Sequence, residues 1–333
     1  MTGTSGTSMT ADLAAWILAA SGYRVSRGHS AGARRGLGQA TADREVLTWD
    51  PTRGPLPVAP RVLALTGLHA DELPAGVSRS DWAAPVSTAV ASTGSAVAVN
   101  AADPVALGLA ATARVAVHAT APVDPNPVAS IRDGRIVLRD PAGQGLAIMA
   151  LDDLGLISPA YRPHVLVAAT AAILMGARAD AAAAALAESA AHAGNGIDRL
   201  GSRRGVVWIG DPGAHRPGRA LPSLAIDPHH TLLLAGGAYG GQPLGRWAAA
   251  AAGARYVLLY GSASDPMAKA LSGAPAVVRC ADLRDAVAAA GRLARRGDTV
   301  AFAPGCHPET GRIADDLESV ARLSLCRAVS EAA

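Results

Sequence analysis

Lysine is almost missing from this chain. Of its 30 Lys and Arg residues only Lys269 is a lysine, so any mechanism that needs an ammonium group has a single candidate. Aromatic residues make up 3 % and include one Phe, which leaves Ala, Val and Leu to build the core. The three cysteines, Cys280, Cys306 and Cys326, are odd in number and lack the close spacing of a metal site, so they read as reduced structural thiols. No apolar stretch reaches the roughly 18 unbroken residues of a membrane span, and the opening residues are not a basic-then-apolar leader. The protein is expected to be cytoplasmic, with no membrane partner. Basic runs interleaved with aromatics are missing too, and with a net charge of only +3 there is no footprint for nucleic acid.

What remains is 333 residues, half of them apolar, enough for two domains with separate cores. The apolar spacing of 11–20 predicts a helix, stopped at Ser21-Gly22, with a strand beginning at Tyr23–Val25. Residues 27–44, rich in Gly and Arg, read as a loop. Strands are expected at 46–48, 61–65, 96–99 and 114–117, alternating with helical stretches as in a parallel sheet with crossover helices. Asp133-Gly134 suits the tight turn of a hairpin spanning 131–138, and the Ala-rich stretch 165–193 reads as one or two helices. Residues 219–230 read as a linker, which divides the chain into domains 1–218 and 219–333. The second has its own α/β pattern: strands at 231–234, 256–260, 276–279 and 299–302, and helices at 246–252, 267–271, 282–293 and from about 313.

The opening Gly3-Thr-Ser-Gly-Thr-Ser-Met-Thr10 runs straight into a helix. Such a loop offers backbone N–H groups and a helix N-terminus to an anion, and its candidate ligands are Gly3, Thr4, Ser5, Gly6, Thr7 and Ser8. Only Met1 and Thr2 precede it, whereas phosphate loops follow a full strand. Taken with the given start, residues 1–8 are therefore expected to be untethered and to bind no phosphate.

Six segments in order resemble those of the Mur ligase family. The opening is similar to the family's GTNGKTTT loop. Leu65-Thr-Gly-Leu-His-Ala-Asp71 resembles its N-(V/I)-T-x-D-H-x-D segment, and Val99-Asn-Ala-Ala-Asp103 its VNADD strand end. Asn195-Gly-Ile-Asp-Arg199 with Gly205-Val-Val-Trp-Ile-Gly-Asp211 resembles the HRxE…GVxxxDDSKAT region. Thr231-Leu-Leu-Leu-Ala-Gly-Gly237 resembles the ILLxGG strand, and 296–306 the PGDxVLLSPACAS strand and loop. The C-terminal half looks nearest to the D-glutamate-adding members, and the family's N-terminal UDP-binding domain has no counterpart in these residues.

The resemblance implies an α/β fold, with a parallel-sheet central domain followed by a smaller Rossmann-like C-terminal domain, and a cleft between them that takes ATP and Mg²⁺. It implies ATP-dependent formation of an amide, chemistry that consists mostly of positioning and of neutralising phosphoryl charge. Arg199 and Asp211 match the ribose-holding positions, and His69 and Asp71 the segment near the metal. An interdomain ion pair and a surface histidine are the plainer readings of these residues. Asn100 and Asp103 suit helix capping, and Cys306 beside His307 reads as a buried thiol.

The sequence departs from the family at its charged positions. Thr7 stands where the loop lysine does, Pro85 near the carbamylated lysine, and Gly213 at the DSKAT lysine. Thr48 falls near the magnesium glutamate, and Glu45 reaches that position only by a shifted register. His164-Val-Leu-Val-Ala168 replaces H-N-x-x-N and drops both asparagines. Each lost charge donor costs about 10²–10³ in rate, so the expected function is a degenerate binding or scaffolding module, with a nucleotide, small molecule or protein as partner. The alternatives are a diverged enzyme using the cleft for other chemistry, with His69 the catalytic candidate, and a working D-glutamate-adding ligase.

Overall fold

The computed structural model describes residues 1–4, 6–29, 42–56, 58–69, 72–73, 76–120, 126–141, 145–154, 161–192, 197–211, 214, 217, 220, 227–271, 276–308 and 313–325. The chain divides into two units, one formed by Met1–Ile157 with Tyr161–Ala193 and the other mainly by Gly194–Ala333.

In the first unit, helix α1 (Thr7–Ala20) stops at Ser21, whose N–H returns to the Ile17 and Leu18 carbonyls, and Gly22 takes a left-handed φ of 90°. Strands β1 (Val25–His29) and β2 (Arg44–Thr48) pair in parallel. The strand that begins near Tyr23 therefore runs on through Arg27–His29, inside the stretch expected to be a loop. Strands β3 (Val62–Leu65), β4 (Ala96–Val99) and β5 (Ala116–Ala119) form a second parallel group, crossed over by α2 (Arg79–Ala91) and α3 (Pro104–Ala110). A Ser78/Asp81 capping box starts α2.

Met1 and Thr2 join the two groups. The Met1 nitrogen donates to Leu47 O at 2.8 Å, and Met1 O accepts from Trp49 N at 2.9 Å. On the other side Thr2 N donates to Ala64 O and Thr66 N to Thr2 O, each at 2.9 Å, in a parallel bridge with Leu65. A stub too short to be a strand by itself is thus held from both flanks, and the expectation of an untethered opening is corrected.

Period-two alternation decides the layers. Leu63, Leu65, Val97 and Val99 pack with Trp82, Val86 and Val90 of α2. Ala64 and Ala98 point the other way, against Val167 and Ala171 of α4 (Arg162–Leu174). Small residues there let the helix lie close to the sheet, and α1 packs beside it through Leu13, Ile17 and Leu18. Helix α5 (Ala179–His192) follows after Gly176 at φ 103°, so the Ala-rich stretch is two helices. A small antiparallel sheet of β6 (Ala129–Arg132), β7 (Arg135–Arg139) and β8 (Leu146–Ala150) completes the unit. Its first turn has Asp133 at φ 48° and Gly134 at φ 70°, the positive pair of a type I′ hairpin.

The second unit holds one six-stranded sheet in the order β13-β12-β11-β14-β10-β9. Its strands are β9 (Asp198–Arg203), β10 (Val206–Gly210), β11 (Thr231–Gly236), β12 (Tyr256–Tyr260), β13 (Ala276–Arg279) and β14 (Thr299–Gly305). All pairings are parallel except β9 with β10. Helices α6 (Gly245–Ala251) and α7 (Ser264–Ala270) cover one face through Trp247 and Met267. Helices α8 (Leu283–Leu293) and α9 (Ile313–Leu325) cover the other through Val287 and Val320, against Phe302. The division expected at 218/219 falls inside this unit and moves to 193/194. The β9–β10 hairpin finds its backbone partner along β14, far down the chain, and is therefore an edge of the second sheet. Of the expected linker, 219 and 221–226 lie outside the described residues.

Candidate functional site

Parallel strands deliver their following loops to one edge. The stub Met1–Thr2 leads into the glycine loop, β3 into Thr66–His69, and β4 into Asn100–Asp103. Thr4 N donates to Gly67 O at 3.0 Å, and Thr4 Oγ1 accepts from His69 N at 2.9 Å. A Cβ on Gly3 would stand 1.8 Å from Thr66 Oγ1 and 3.0 Å from Gly67 O, so this approach requires glycine. Gly6 takes φ 65° and lies against His164, where a Cβ would come within 2.5 Å of the imidazole. The first helical bond of α1 runs from Thr10 N to Gly6 O. Gly6 has no side chain to cap the helix, so the N–H groups of its first turn are offered to an incoming anion.

The Thr7 hydroxyl donates back to Gly3 O at 3.1 Å and so braces the loop from within. Ser8 lies in the first turn of α1, and Ser5 lies outside the described residues. The structure thus brings Gly3, Thr4, Gly6, Thr7 and Ser8 together and sets His69 beside them through Thr4.

Asp103 performs the expected capping and more. Its Oδ1 accepts from Val105 N and Ala106 N at 2.9 and 2.8 Å, starting α3. Its Oδ2 accepts from Leu68 N at 2.8 Å and stands 3.7 Å from His69 Nδ1. Asn100 Nδ2 donates to Thr66 O, and its Oδ1 accepts from Ala102 N, both at 3.0 Å. These two buried side chains fix the 66–69 segment over the glycine loop.

Sequence reasoning missed the role of His164 as the floor of this loop. It sits in the first turn of α4, and its Nδ1 has no partner among the described residues. Burial, with His69 adding repulsion, pulls its pKa down to about 4 from 6.5, so the ring is neutral near pH 7. The pairing His-x-x-x-Ala gave no signal of this, because the contact with Gly6 is nonlocal.

Thr48, Glu45 and Pro85 stand on other elements of the first unit, and Arg199, Asp211, Cys280, Cys306 and Lys269 belong to the second. Thr48 ends β2 with its hydroxyl 3.5 Å from Gly28 O, and Glu45 is exposed nearer the start of that strand. Pro85 is inside α2. Asp71 and Gly213 lie outside the described residues. Arg199 is exposed on edge strand β9 of the second unit. Asp211 is fully buried at the end of β10, its N–H donating to Phe302 O at 3.0 Å. Burial raises the Cys306 thiol to about 12 and Cys280 to about 11, which removes both as nucleophiles near neutral pH. Lys269 is exposed on α7. Among the described residues no group of three metal-ligating side chains occurs, and no helix is long and apolar enough to cross a membrane.

No protein-family model matches the chain. It is 32 % identical over 252 residues to the UDP-N-acetylmuramoylalanine–D-glutamate ligase of Myxococcus xanthus, covering 74 % of this chain and 54 % of that protein. It is 30 % identical over 215 residues to the protein of the same name from Symbiobacterium thermophilum, covering 62 % of this chain and 47 % of that one. The chain thus spans about half the length of the curated relatives it matches. Among solved structures, the MurF ligase of Thermotoga maritima in complex with ADP superposes at a TM-score of 0.69, with 15 % identity, over 98 % of this chain and 80 % of that one. A pseudomurein peptide ligase type C from Methanothermus fervidus gives 0.71, with 14 % identity, over 96 % and 77 %. Mycobacterium tuberculosis folylpolyglutamate synthase, solved with ADP and AMPPCP, gives 0.63, with 14 % identity, over 96 % and 89 %.

Proposed function

The chain is a Mur-ligase-like protein, and from that premise we propose that it holds a nucleotide phosphate on the 3–8 loop without performing the usual ATP-dependent amide ligation. It acts as a binding or scaffolding module. The observation that carries this reading is the Thr7 hydroxyl turned back onto Gly3 O, at the position where the family resemblance puts a lysine.

Two demands on such a site separate here. A bound phosphate needs N–H donors and the positive end of a helix, and the uncapped first turn of α1 meets that demand. His164, whose ring lies against Gly6 by its Cδ2, Cγ and Nε2 atoms, also keeps a buried Nδ1 without a partner among the described residues. Phosphoryl transfer in addition needs cations on the oxygens where charge develops. Thr7 and Pro85 supply none at two of the positions matched to family lysines, and Gly at 213 has no side chain to supply one. Val165 and Ala168, where the family has asparagines, are fully buried among apolar neighbours and offer adenine no amide. The nucleotide is therefore gripped by its phosphates, and magnesium gains no carboxylate at Thr48.

Calorimetry with ADP and ATP, each with and without magnesium, tests this reading. Binding of both nucleotides with little dependence on magnesium, and no phosphate release, is the expected result. Magnesium-dependent release at about 1–10³ s⁻¹ would favour the second reading, a working D-glutamate-adding ligase, which the 32 % identity to the Myxococcus enzyme supports. Failure of either nucleotide to bind would remove the phosphate site altogether.

A further inference from the structure

One imidazole beside the glycine loop has its orientation decided by its neighbours. His69 N donates to Thr4 Oγ1 at 2.9 Å, and the ring, 31 % exposed, brings Nδ1 to 3.7 Å from Asp103 Oδ2. That carboxylate is fixed, because it is buried and already accepts from Leu68, Val105 and Ala106 N–H groups. The other nitrogen, Nε2, stands 3.6 Å from where a Cβ on Gly67 would lie. Gly67 O is in turn the acceptor of Thr4 N. The ring is thus tied twice to the segment that carries the loop.

The geometry points to His69 as the cation of the 3–8 loop: protonated, it donates from Nε2 to the bound phosphate, so binding takes up a proton from solvent. This rests on the phosphate reading above and adds its pH dependence. With Nδ1–H turned to a carboxylate, the neutral ring presents a lone pair at Nε2 and repels a phosphate oxygen. The imidazolium donates at both ends, and an anion on each side favours that form. Thr7 leaves the loop without a charge of its own, so this one counts in affinity.

Among the described residues, Asp103 faces His69 from the start of α3. His164 on α4 stays neutral near pH 7, since burial holds its pKa at about 4, and its ring centre is 6.0 Å from that of Tyr161. Glu72, buried on the same segment as His69, donates its N–H to His69 O. Helix α1 brings only Asp12, which is exposed and paired with Arg27.

The test is calorimetry with ADP on the full chain and on His69→Gln, from about pH 5.5 to 8, in buffers of different ionisation enthalpy. The terminal phosphate of ADP titrates in the same range, and the substitution leaves that unchanged, so the ring's part is the difference between the two chains. Near pH 6 the parent should bind about tenfold more tightly than the variant and take up more protons; by about pH 8 the difference should vanish. The imidazole ¹⁵N signals of His69 should move to the imidazolium positions when ADP is added, and the thermal melt of the variant should match the parent. Equal affinity of both chains at every pH, or equal proton uptake, with ADP still bound, would overturn this inference and leave the phosphate reading standing. No binding of ADP by the parent at any pH would remove both.

Discussion

The two units use the ends of their parallel strands in opposite ways. In the second, Gly236 and Gly237 let backbones close on each other: a Cβ there would stand 2.1 Å from Tyr260 O and 2.3 Å from His307 O. Cys306 at the end of β14 is sealed against Trp247 and Met267. In the first, the corresponding edge is threaded with polar side chains. Thr4, Asn100 and Asp103 each bond a neighbouring loop, and the first turn of α1 is left open. The same architecture thus gives one edge closed by backbone packing and one edge lined with polar side chains around an uncapped helix start. The contrast places the candidate site in the first unit and makes the second chiefly a packing problem.

The largest expected effect breaks the packed unit. Phe302→Ala, which empties a fully buried site between β14 and helices α8 and α9, should cost about 3–5 kcal/mol. In denaturant, exchange protection should be lost across β10–β14 before β3 and β4; simultaneous loss in both would show the units to be one cooperative block.

The next effect is on pH. His164 has its pKa depressed by burial to about 4 from 6.5, so below 6.5 the unfolded chain takes up a proton that the folded chain refuses. Its stabilising contribution is complete above 6.5 and is lost as pH falls towards 4, by about 3 kcal/mol at most. The difference in stability between the parent and His164→Leu should change across that window and be flat above it. A difference independent of pH would show the ring to be accessible or partnered.

A smaller contrast lies between two glycines. Gly22→Ala meets open space at φ 90° and should cost only the left-handed strain, about 1–2 kcal/mol. Gly6→Ala adds a collision with the buried His164 ring, so it should cost more and weaken ADP binding. Equal costs by chemical denaturation would remove His164 as the floor of the loop.

Local chemistry was legible wherever the decision was local. The bounds of β4, β12 and β13 follow from their apolar runs, and Asp133-Gly134 could only be a turn of positive φ. The family segments also pointed to the opening loop and to His69, whose N–H donates to Thr4 Oγ1. What escaped were pairings set by distant residues. Met1 and Thr2 are too few to signal a strand, and become one because Leu47, Trp49, Ala64 and Thr66 bond them from two sides. The β9–β10 hairpin, joined to the wrong domain from sequence, is claimed by β14. Arg199 and Asp211 went with it into the second unit.

Amide hydrogen exchange through residues 1–10, with and without ADP, tests the central claim most directly: that this loop is built and awaits a phosphate. Thr2 and Thr4 should be protected without ligand, since their N–H groups are bonded to Ala64 and Gly67. Thr7, Ser8 and Met9, at the open first turn of α1, should exchange fast alone and slow when ADP is added. Unprotected Thr2 and Thr4, or amides at 7–9 that do not respond to ADP, would contradict the account.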